Sequence, residues 1–265
     1  AAVVGEKIND NNNERKSIDR EITQEALEMV QSGAALSSSA ATIVYNPNWN
    51  KGVVGIVASR LVEAFYKPTI VLTKSNDFIT GSARSVAGFD LYEAIDSCAD
   101  LMENFGGHVY AAGLTLREEN LPEFVRRIEE FISKRITQEM LTPFTEIDAR
   151  LEFSQITPKF FRLLKQFQPF GPGNTNPVFQ TENVYDGGKG RKVGADGVHM
   201  KLDLIDEKQP FHQIPAIAFN MSEYFDYIKA GNPFDICYSI VENYYRGNST
   251  LQLRIKDIRE REEPI

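Results

Sequence analysis

The 265-residue sequence has little cysteine, and it lacks any long apolar run. Its two cysteines, Cys98 and Cys237, lie far apart without metal-binding spacing, which argues against a disulfide framework and favours the reducing cytoplasm. No apolar run reaches the roughly 20 residues of a transmembrane helix, and the N-terminus has no signal-peptide pattern. We therefore expect a soluble cytoplasmic protein with about two domains.

Histidine is also scarce, and the three histidines, His108, His199 and His212, stand singly. Metal-assisted hydrolysis of a phosphodiester needs Asp and His side chains grouped around divalent cations. The sequence contains no such grouping, and it has no P-loop, dinucleotide fingerprint or Ser-His-Asp arrangement. We therefore expect no metal ion and no other cofactor in this chain.

The sequence has no excess of basic residues, because its net charge is −8. A protein that coats nucleic acid without selection gains affinity by neutralising phosphates, so this charge argues against that class. Residues 1–150 carry a net charge of −7 and residues 151–265 only −1. A nucleic acid would have to be held by local basic groups, and the second part favours a broad groove.

Strands and helices alternate in the first part of the chain. An amphipathic pattern from Asn13 to near Gly33 predicts a helix of about five turns, either packed on the following domain or linked to something upstream. Asp90 is a candidate N-cap, and Asn120 with Glu123 fits a capping box. The pattern predicts an α/β domain with strands at 41–45, 68–73, 78–83 and 109–116 and helices at 52–66, 90–103 and 120–141.

Beyond Pro143 the pattern changes to short strands. Thr157 and Pro158 begin a short helix, and a second helical break covers 221–230. These pieces fit a small, partly open barrel of the OB type, although the pattern alone indicates only a small barrel or sandwich. The expected strands are 178–184, 189–193, 199–205, 214–219, 234–241 and 249–258. The predicted domains are a linker helix at 1–36, an α/β domain at 37–143 and an OB-fold domain at 144–265.

The first candidate site is the stretch from Phe105 to Leu116. Gly106 and Gly107 allow a close backbone approach to a ligand, and His108 can reach whatever lies there. The alternative is a Gly-Gly turn that enters the strand at 109–116, with His108 capping the turn.

The second candidate site combines Ser82 and Arg84, which point the same way on an extended strand. A guanidinium that forks onto phosphate oxygens, with a hydroxyl beside it, suits a terminal phosphate. The alternative is an exposed arginine on an edge strand. Gly52 and Gly55 in the first turn of the preceding helix would serve close packing, or would present free N–H groups to an anion.

The third candidate site is a set of basic and aromatic residues in the second part. Such residues on a barrel face suit single-stranded nucleic acid, because cations hold phosphates and rings stack on bases. The alternative is a solvated hairpin. The candidates are Lys189, Arg191, Lys192, Lys201, Tyr244, Tyr245 and Arg246.

Several blocks of the sequence together resemble the RecJ family of single-strand-specific 5′-to-3′ DNA exonucleases, in the DHH/DHHA1 phosphoesterase superfamily. The likeness covers nearly the whole chain, in order. Similar to the family's DHHA1 domain are 49–61 (WNKGVVGIVASRL), 81–85 (GSARS) and 106–113 (GGHVYAAG). Similar to its OB domain are 170–179 (FGPGNTNPVF), 199–202 (HMKL) and 242–247 (ENYYRG). Residues 13–16 (NERK) are similar to the start of the helix that joins the catalytic DHH domain to the rest.

The resemblance implies a C-terminal part of such an enzyme. The DHH domain, with its Mn²⁺ or Mg²⁺ ligands, would precede residue 1, so the chain alone is expected to be inactive. Ser82 and Arg84 would hold the 5′-phosphate of the DNA end. Gly106, Gly107 and His108 would line the cleft that faces the metals, which makes His108 the catalytic candidate.

The resemblance also implies partners and leaves two rivals. Single-stranded DNA is the expected partner, in cytoplasmic DNA repair and recombination, with single-strand-binding protein and a helicase as further candidates. The sequence departs from the family at Asn50, where we expect histidine. The rivals are another DHH-DHHA1 phosphodiesterase, acting on short oligonucleotides or cyclic dinucleotides, and a non-enzymatic module that binds single strands.

Overall fold

The computed structural model describes residues 2–33, 38–171, 173–207, 209–245 and 247–261. The chain divides into two compact units, Ala1–Pro143 and Phe144–Ile265. None of the described helices is both long enough and apolar enough to cross a lipid bilayer.

Within the described residues, unit 1 contains one five-stranded sheet in the order β1-β2-β3-β5-β4. β1 and β2 are parallel, and the other neighbours are antiparallel. The strands are β1 Thr42–Tyr45, β2 Thr69–Ser75, β3 Phe78–Arg84, β4 Met102–His108 and β5 Ala111–Leu116. The helices are α1 Ala2–Ser32, α2 Val54–Phe65, α3 Leu91–Asp96 and α4 Leu121–Ser133.

The two faces of this sheet are covered differently. On one face, α3 and α4 bury side chains such as Ile95, Phe124 and Ile128 against the whole sheet. On the other face, α1 and α2 pack around Trp49 and Val71 over β1 and β2. Ser82 and Arg84 of β3 lie on this second face, against the first turn of α2.

The helix predicted over 90–103 is wrong beyond its first turns. The Asp90 side chain accepts a hydrogen bond of 3.0 Å from the backbone N–H of Glu93, so the N-cap is confirmed, but α3 ends at Asp96. Met102–His108 is instead the strand β4, which pairs with β5 through a hairpin whose turn is 109–110. The local sequence is poor in apolar residues, because β4 is an edge strand that is mostly exposed.

Three helix ends also differ from the predictions. The side chain of Asn120 donates a hydrogen bond of 2.8 Å to the carbonyl oxygen of Leu101 rather than capping α4, so the capping box is wrong. α4 ends at Ser133 and does not reach 141. α1 begins at Ala2 rather than near Asn13, because the polar N-terminal residues continue the helix.

Unit 2 is a β-barrel with helices packed against it. In the part that the structure describes, the strand order is β6-β7-β11-β12-β10-β9-β8, and a pairing between β7 and β9 closes five of these strands into a barrel. The strands are β6 Ala149–Arg150, β7 Phe179–Asp186, β8 Arg191–Val193, β9 His199–Asp206, β10 Gln209–Ala218, β11 Phe234–Tyr245 and β12 Asn248–Glu260. The helices are α5 Pro158–Lys165 and α6 Phe225–Lys229. The OB-type barrel that the sequence predicted is confirmed.

The inside of the barrel is largely apolar, and it includes the hydrogen-bonded pair Tyr238 and Thr181. Tyr238 is fully buried, and its hydroxyl lies 2.8 Å from Oγ1 of Thr181. Burial raises the pKa of Tyr238 to about 12, so the phenol stays protonated. The alternation along β9, with Met200, Leu202 and Leu204 buried, places Lys201 on the outer surface.

Candidate nucleic-acid interface

The strand register brings four candidate residues of unit 1, Ser82, Arg84, Gly106 and His108, onto one face of the sheet, whereas Gly107 pairs with the buried Ala112 and faces the other side. Ser82 pairs with Gly113, and Gly113 pairs with Gly106, so these three residues form one row across β3, β5 and β4. Arg84 and His108 form the next row, on either side of Ala111. Neighbouring strands lie about 4.8 Å apart, so the backbone of His108 lies roughly 10 Å from the backbone of Arg84, two strands away.

Ser82 and Arg84 contact one another as the sequence predicted. One guanidinium nitrogen of Arg84 (Nη1) donates hydrogen bonds of 2.8 Å to Oγ of Ser82 and to the carbonyl oxygen of Ala83. The interpretation as an exposed arginine on an edge strand is wrong, because β3 lies between β2 and β5 and Arg84 is half-buried. Among the described residues, Arg84 has no carboxylate within ion-pair distance.

The first turn of α2 lies directly against this pair. A Cβ atom added to Gly55 would stand 3.1 Å from Nη2 of Arg84 and 3.2 Å from Oγ of Ser82. Glycine therefore permits the close approach of the helix to the strand. Gly55 is the second residue of α2, so the positive end of the helix dipole and the guanidinium share one small region.

The two glycines before His108 differ in their surroundings. A Cβ atom at Gly107 would stand 2.3 Å from the carbonyl oxygen of Ala111 and 2.5 Å from Cα of Ala112, whereas a Cβ atom at Gly106 would meet nothing within 4 Å. Gly107 is thus required for strand pairing, and Gly106 lies on an open surface. The interpretation as a Gly-Gly turn is wrong, since both glycines lie in β4.

His108 is exposed at the end of β4, beside the turn of the hairpin. Two backbone hydrogen bonds hold this turn, from Ser85 N–H to the carbonyl oxygen of Tyr110 at 3.0 Å and from Leu91 N–H to that of Val109 at 3.1 Å. The exposed imidazole is therefore carried by a fixed hairpin. It faces the same side of the sheet as Arg84, across a surface formed by glycine and alanine.

Asn50, which departs from the family pattern, has a local structural role. Its side-chain oxygen accepts a hydrogen bond of 2.8 Å from the backbone N–H of Gly52. This is a turn that short polar side chains commonly form ahead of a helix.

In unit 2, three of the predicted basic residues line one groove on the outside of the barrel. Lys189, Arg191 and Lys201 share it with Asn243 and Gln252. The groove lies on β9 and beside the loop that joins β7 to β9, which are the first two strands of the barrel along the chain. OB folds bind oligonucleotides on this face. Asp203 contributes one negative charge there.

The other predicted residues of this set do not join the groove in the same way. The ammonium of Lys192 lies 5.2 Å from the ring centroid of Phe225, at a different part of the barrel. Tyr244 is 71% exposed near the end of β11 and next to Asn243, which lines the groove. Tyr245 ends β11, and nothing is described of its side chain, while Arg246 lies outside the described residues.

The hairpin of β11 and β12, which carries Tyr244, contacts α5. Lys165 forms an ion pair with Glu242, and the hydroxyl of Ser249 donates a second hydrogen bond to the same carboxylate, at 2.5 Å. These two donors lower the pKa of Glu242 to about 2, so the carboxylate stays ionised. This network joins α5 to the hairpin of β11 and β12, two residues before Tyr244.

Sequence reasoning missed residues that the fold brings to the sites. Asn243 and Gln252 line the groove, and Arg254 pairs with Ile217 in the same outward row as Lys201. The alternation of buried and exposed residues along β12 was the available signal for Arg254. No signal in the sequence joined it to Lys201, because β10 and β12 are parallel and distant along the chain.

Within the ranges that the structure describes, no group of three or more His, Cys, Asp or Glu side chains is placed to hold a metal ion.

Family models match both units. The model of the DHHA1 domain matches residues 38–134, and that of the RecJ OB domain matches residues 147–257. The fold of the chain is also similar to that of RecJ from Thermus thermophilus in a crystal structure with Mg²⁺. The TM-score is 0.73 and the identity 24%, covering 98% of this chain and 38% of that one.

Curated relatives align with nearly all of this chain. The single-stranded-DNA-specific exonuclease RecJ of Bacillus subtilis is 35% identical over 253 residues, which is 95% of this chain and 31% of that protein. The protein of the same name in Haemophilus influenzae is 30% identical over 262 residues, or 96% of this chain and 44% of that protein. The chain thus spans less than half the length of these relatives. The two matched domains, in this order, and the relatives that align with both show that the chain belongs to the RecJ family and comprises its DHHA1 and OB domains.

Proposed function

We propose that this chain is the substrate-binding part of a RecJ-type 5′-to-3′ single-stranded DNA exonuclease. In this proposal unit 1 holds the terminal 5′-phosphate and unit 2 binds the strand behind it. The observation that carries the proposal is the pair Ser82 and Arg84 beside the first turn of α2, with no carboxylate paired to Arg84 in the described part of the chain.

The electrostatics of this region favour an anion. A guanidinium next to the positive end of a helix dipole is unfavourable unless a negative group lies between them. A terminal phosphate carries more negative charge than an internal one and offers several oxygens to the guanidinium, the Ser82 hydroxyl and helix N–H groups. The row of Ser82, Gly113 and Gly106 leaves the adjoining sheet surface open for the first nucleotide.

The same proposal gives roles to the other candidates. Gly106 and His108 would line the path of the scissile phosphodiester, with His108 as the residue of this chain nearest to the chemistry. The groove of Lys189, Arg191 and Lys201 would hold phosphates farther along the strand, and Tyr244 would stack on a base. A cyclic dinucleotide or a very short oligonucleotide would not extend along a second unit, which favours the longer substrate.

The metal chemistry belongs elsewhere in this proposal. The RecJ of Thermus thermophilus binds Mg²⁺ or Mn²⁺ in its crystal structures. We propose that a longer protein uses these ions, held by residues outside those described here, and that the chain alone binds strands without degrading them. Cytoplasmic repair of DNA, with single-strand-binding protein and a helicase as partners, is part of the same proposal.

The test compares DNA ends. Arg84→Gln removes the guanidinium, and the affinity for a 5′-phosphorylated single strand should fall about 10- to 100-fold, the range for hydrogen bonds to charged groups. The affinity for the matched 5′-hydroxyl strand should fall less than about 3-fold, because that end lacks the charge that the guanidinium binds. Fluorescence anisotropy with a 3′-labelled oligonucleotide measures both affinities.

The control variant is Arg20→Gln, which removes the same charge from an exposed position on α1. It should change both affinities equally and only slightly. Equal losses on the two DNA ends with Arg84→Gln would refute end recognition by Arg84.

A further inference from the structure

We propose that Phe219, with Arg254 and His199, forms a stacking platform for one base of the single strand, on the outer face of β9, β10 and β12. The inference rests on the proposed function, because it assumes that unit 2 binds a single strand. It adds a specific base subsite at the opposite end of the barrel face from Tyr244.

The ring of Phe219 is exposed and flanked by two partners that suit a nucleobase. It is 44% exposed just after the end of β10. The guanidinium carbon of Arg254 lies 5.2 Å from the ring centroid, and the imidazole of His199 lies at the same centroid distance in an edge-on arrangement with an interplanar angle of 71°. An exposed ring beside a guanidinium offers a base both stacking surface and a cation.

The histidine of this platform is held in one orientation. Its Nδ1 accepts a hydrogen bond of 3.0 Å from the backbone N–H of Asn220, which leaves the proton of the neutral ring on Nε2. Asn220 has φ of +56°, a left-handed conformation that asparagine tolerates. On the other side, a Cβ atom at Gly194 would stand 3.1 Å from Cδ2 of His199, so glycine leaves room for the ring. The surrounding backbone thus fits the imidazole edge to Phe219.

Basic residues continue from the platform across the barrel. One row of paired residues crosses β8, β9, β10 and β12 in the order Arg191, Lys201, Ile217 and Arg254. Three of these residues are cations, and the apolar Ile217 lies between Lys201 and Arg254. Phe219 follows Ile217 by two positions and has the same outward orientation.

The row connects the platform to the groove of Lys189, Arg191 and Lys201. Pro215 lines that groove, and it lies four residues before Phe219. At about 3.4 Å per residue the two are roughly 14 Å apart along the barrel face. The strand would therefore run from the groove along the row of cations, with its phosphates on Arg191, Lys201 and Arg254, and would stack one base on Phe219.

The arginine at this position is available to a phosphate. Among the described residues no carboxylate forms an ion pair with Arg254, whose guanidinium contacts the Phe219 ring. Replacing Phe219 by leucine keeps the residue apolar and removes the flat π surface. The affinity that Phe219→Leu removes should therefore depend on the bases of the strand, whereas the affinity that removal of the Arg254 guanidinium costs should depend on its phosphates.

The test uses the 265-residue chain and two 3′-labelled oligonucleotides of equal length, oligodeoxythymidylate and an abasic strand with the same phosphates. We expect Phe219→Leu to weaken binding of the thymidylate strand about 5- to 100-fold and to leave binding of the abasic strand unchanged. Phe167→Leu, which alters a 63% exposed ring that lies outside the platform, is the matched control and should change neither affinity. Circular dichroism checks that each variant is folded.

A second readout separates the two components of the platform. Arg254→Gln should reduce the slope of log K against log salt concentration by about 0.7, as expected for one phosphate contact on a single strand, and Phe219→Leu should leave that slope unchanged. If the unaltered chain binds the thymidylate strand and Phe219→Leu binds it equally well, or loses affinity equally for both strands, the platform is refuted. If the unaltered chain binds neither strand, the proposed function is refuted together with this inference.

Discussion

Gly107→Ala tests the strand pairing on which the geometry of the DNA-end site depends. The new Cβ atom would stand 2.3 Å from the carbonyl oxygen of Ala111 and 2.5 Å from Cα of Ala112, at a φ of +156°. Both clashing atoms belong to the backbone of β5, so the hairpin must open. Overpacking of this kind costs about 1–3 kcal/mol, and the unfavourable φ adds about 1 kcal/mol.

The expected loss of unfolding free energy is therefore about 2–4 kcal/mol, the sum of these two costs. For a unit of this size that corresponds to a fall in Tm of roughly 6–14 °C. Trp49 is the sole tryptophan of the sequence and is buried in unit 1, so its fluorescence on heating reports the unfolding of that unit.

Gly106→Ala is the matched control, one residue away in the same strand. Its Cβ atom would meet nothing within 4 Å, so the Tm should change by less than about 2 °C. If the two variants unfold at the same temperature, the close approach of β4 to β5 at Gly107 is wrong. Equal stability would also remove the reason for giving Gly107 a structural role and Gly106 a role in ligand contact.

Two further predictions concern unit 2. Burial disfavours the ionised carboxyl of Asp235, but hydrogen bonds from Arg259 and Arg261 outweigh it and hold its pKa below the ordinary value. Because the folded-state pKa is lowered, this stabilisation is present above about pH 4 and is lost as the pH falls through the lowered pKa. Asp235→Asn should therefore lower the free energy of unfolding by about 2–4 kcal/mol near neutral pH and by less in acid. The prediction is contradicted if the Tm difference between the variant and the unaltered chain, measured by circular dichroism, does not shrink between about pH 7 and pH 3. Oγ1 of Thr157 caps α5 by accepting a hydrogen bond of 3.1 Å from the backbone N–H of Phe160. Thr157→Ala should therefore lower the free energy of unfolding by about 1 kcal/mol, measured by urea unfolding followed by circular dichroism, whereas Thr157→Ser should lower it much less.

The sequence pattern predicted most of unit 1, because buried strands and amphipathic helices leave a strong periodic signal. It failed at β4, whose seven residues are half-buried or exposed and include Gly106 and Gly107. That strand is specified by its pairing with β5, and pairing is not visible in local composition. The Asn120 capping box failed for a related reason, since the carbonyl group of Leu101 competes for the same side chain.

The candidate sites were predictable only where residues lie close together in sequence. Ser82 and Arg84 are two positions apart on one strand, and alternation sufficed to place them side by side. The approach of Gly55 and the joining of Arg254 to Lys201 depend on contacts between distant segments. Lys192 was grouped with its sequence neighbours, but the pleat of β8 turns it away from them toward Phe225.

Closure of the barrel by the pairing of β7 with β9 affects how unit 2 can recognise any polymer. The five barrel strands pair with one another, and β6 and β8 pair with parts of β7 and β9. Along these paired stretches a ligand cannot add to the barrel as an extra strand by main-chain hydrogen bonding. Affinity on this surface must then come from side chains, each of which can be exchanged without altering the scaffold. Length preference and tolerance of different bases are thus properties that single substitutions on the outer wall can change independently of folding.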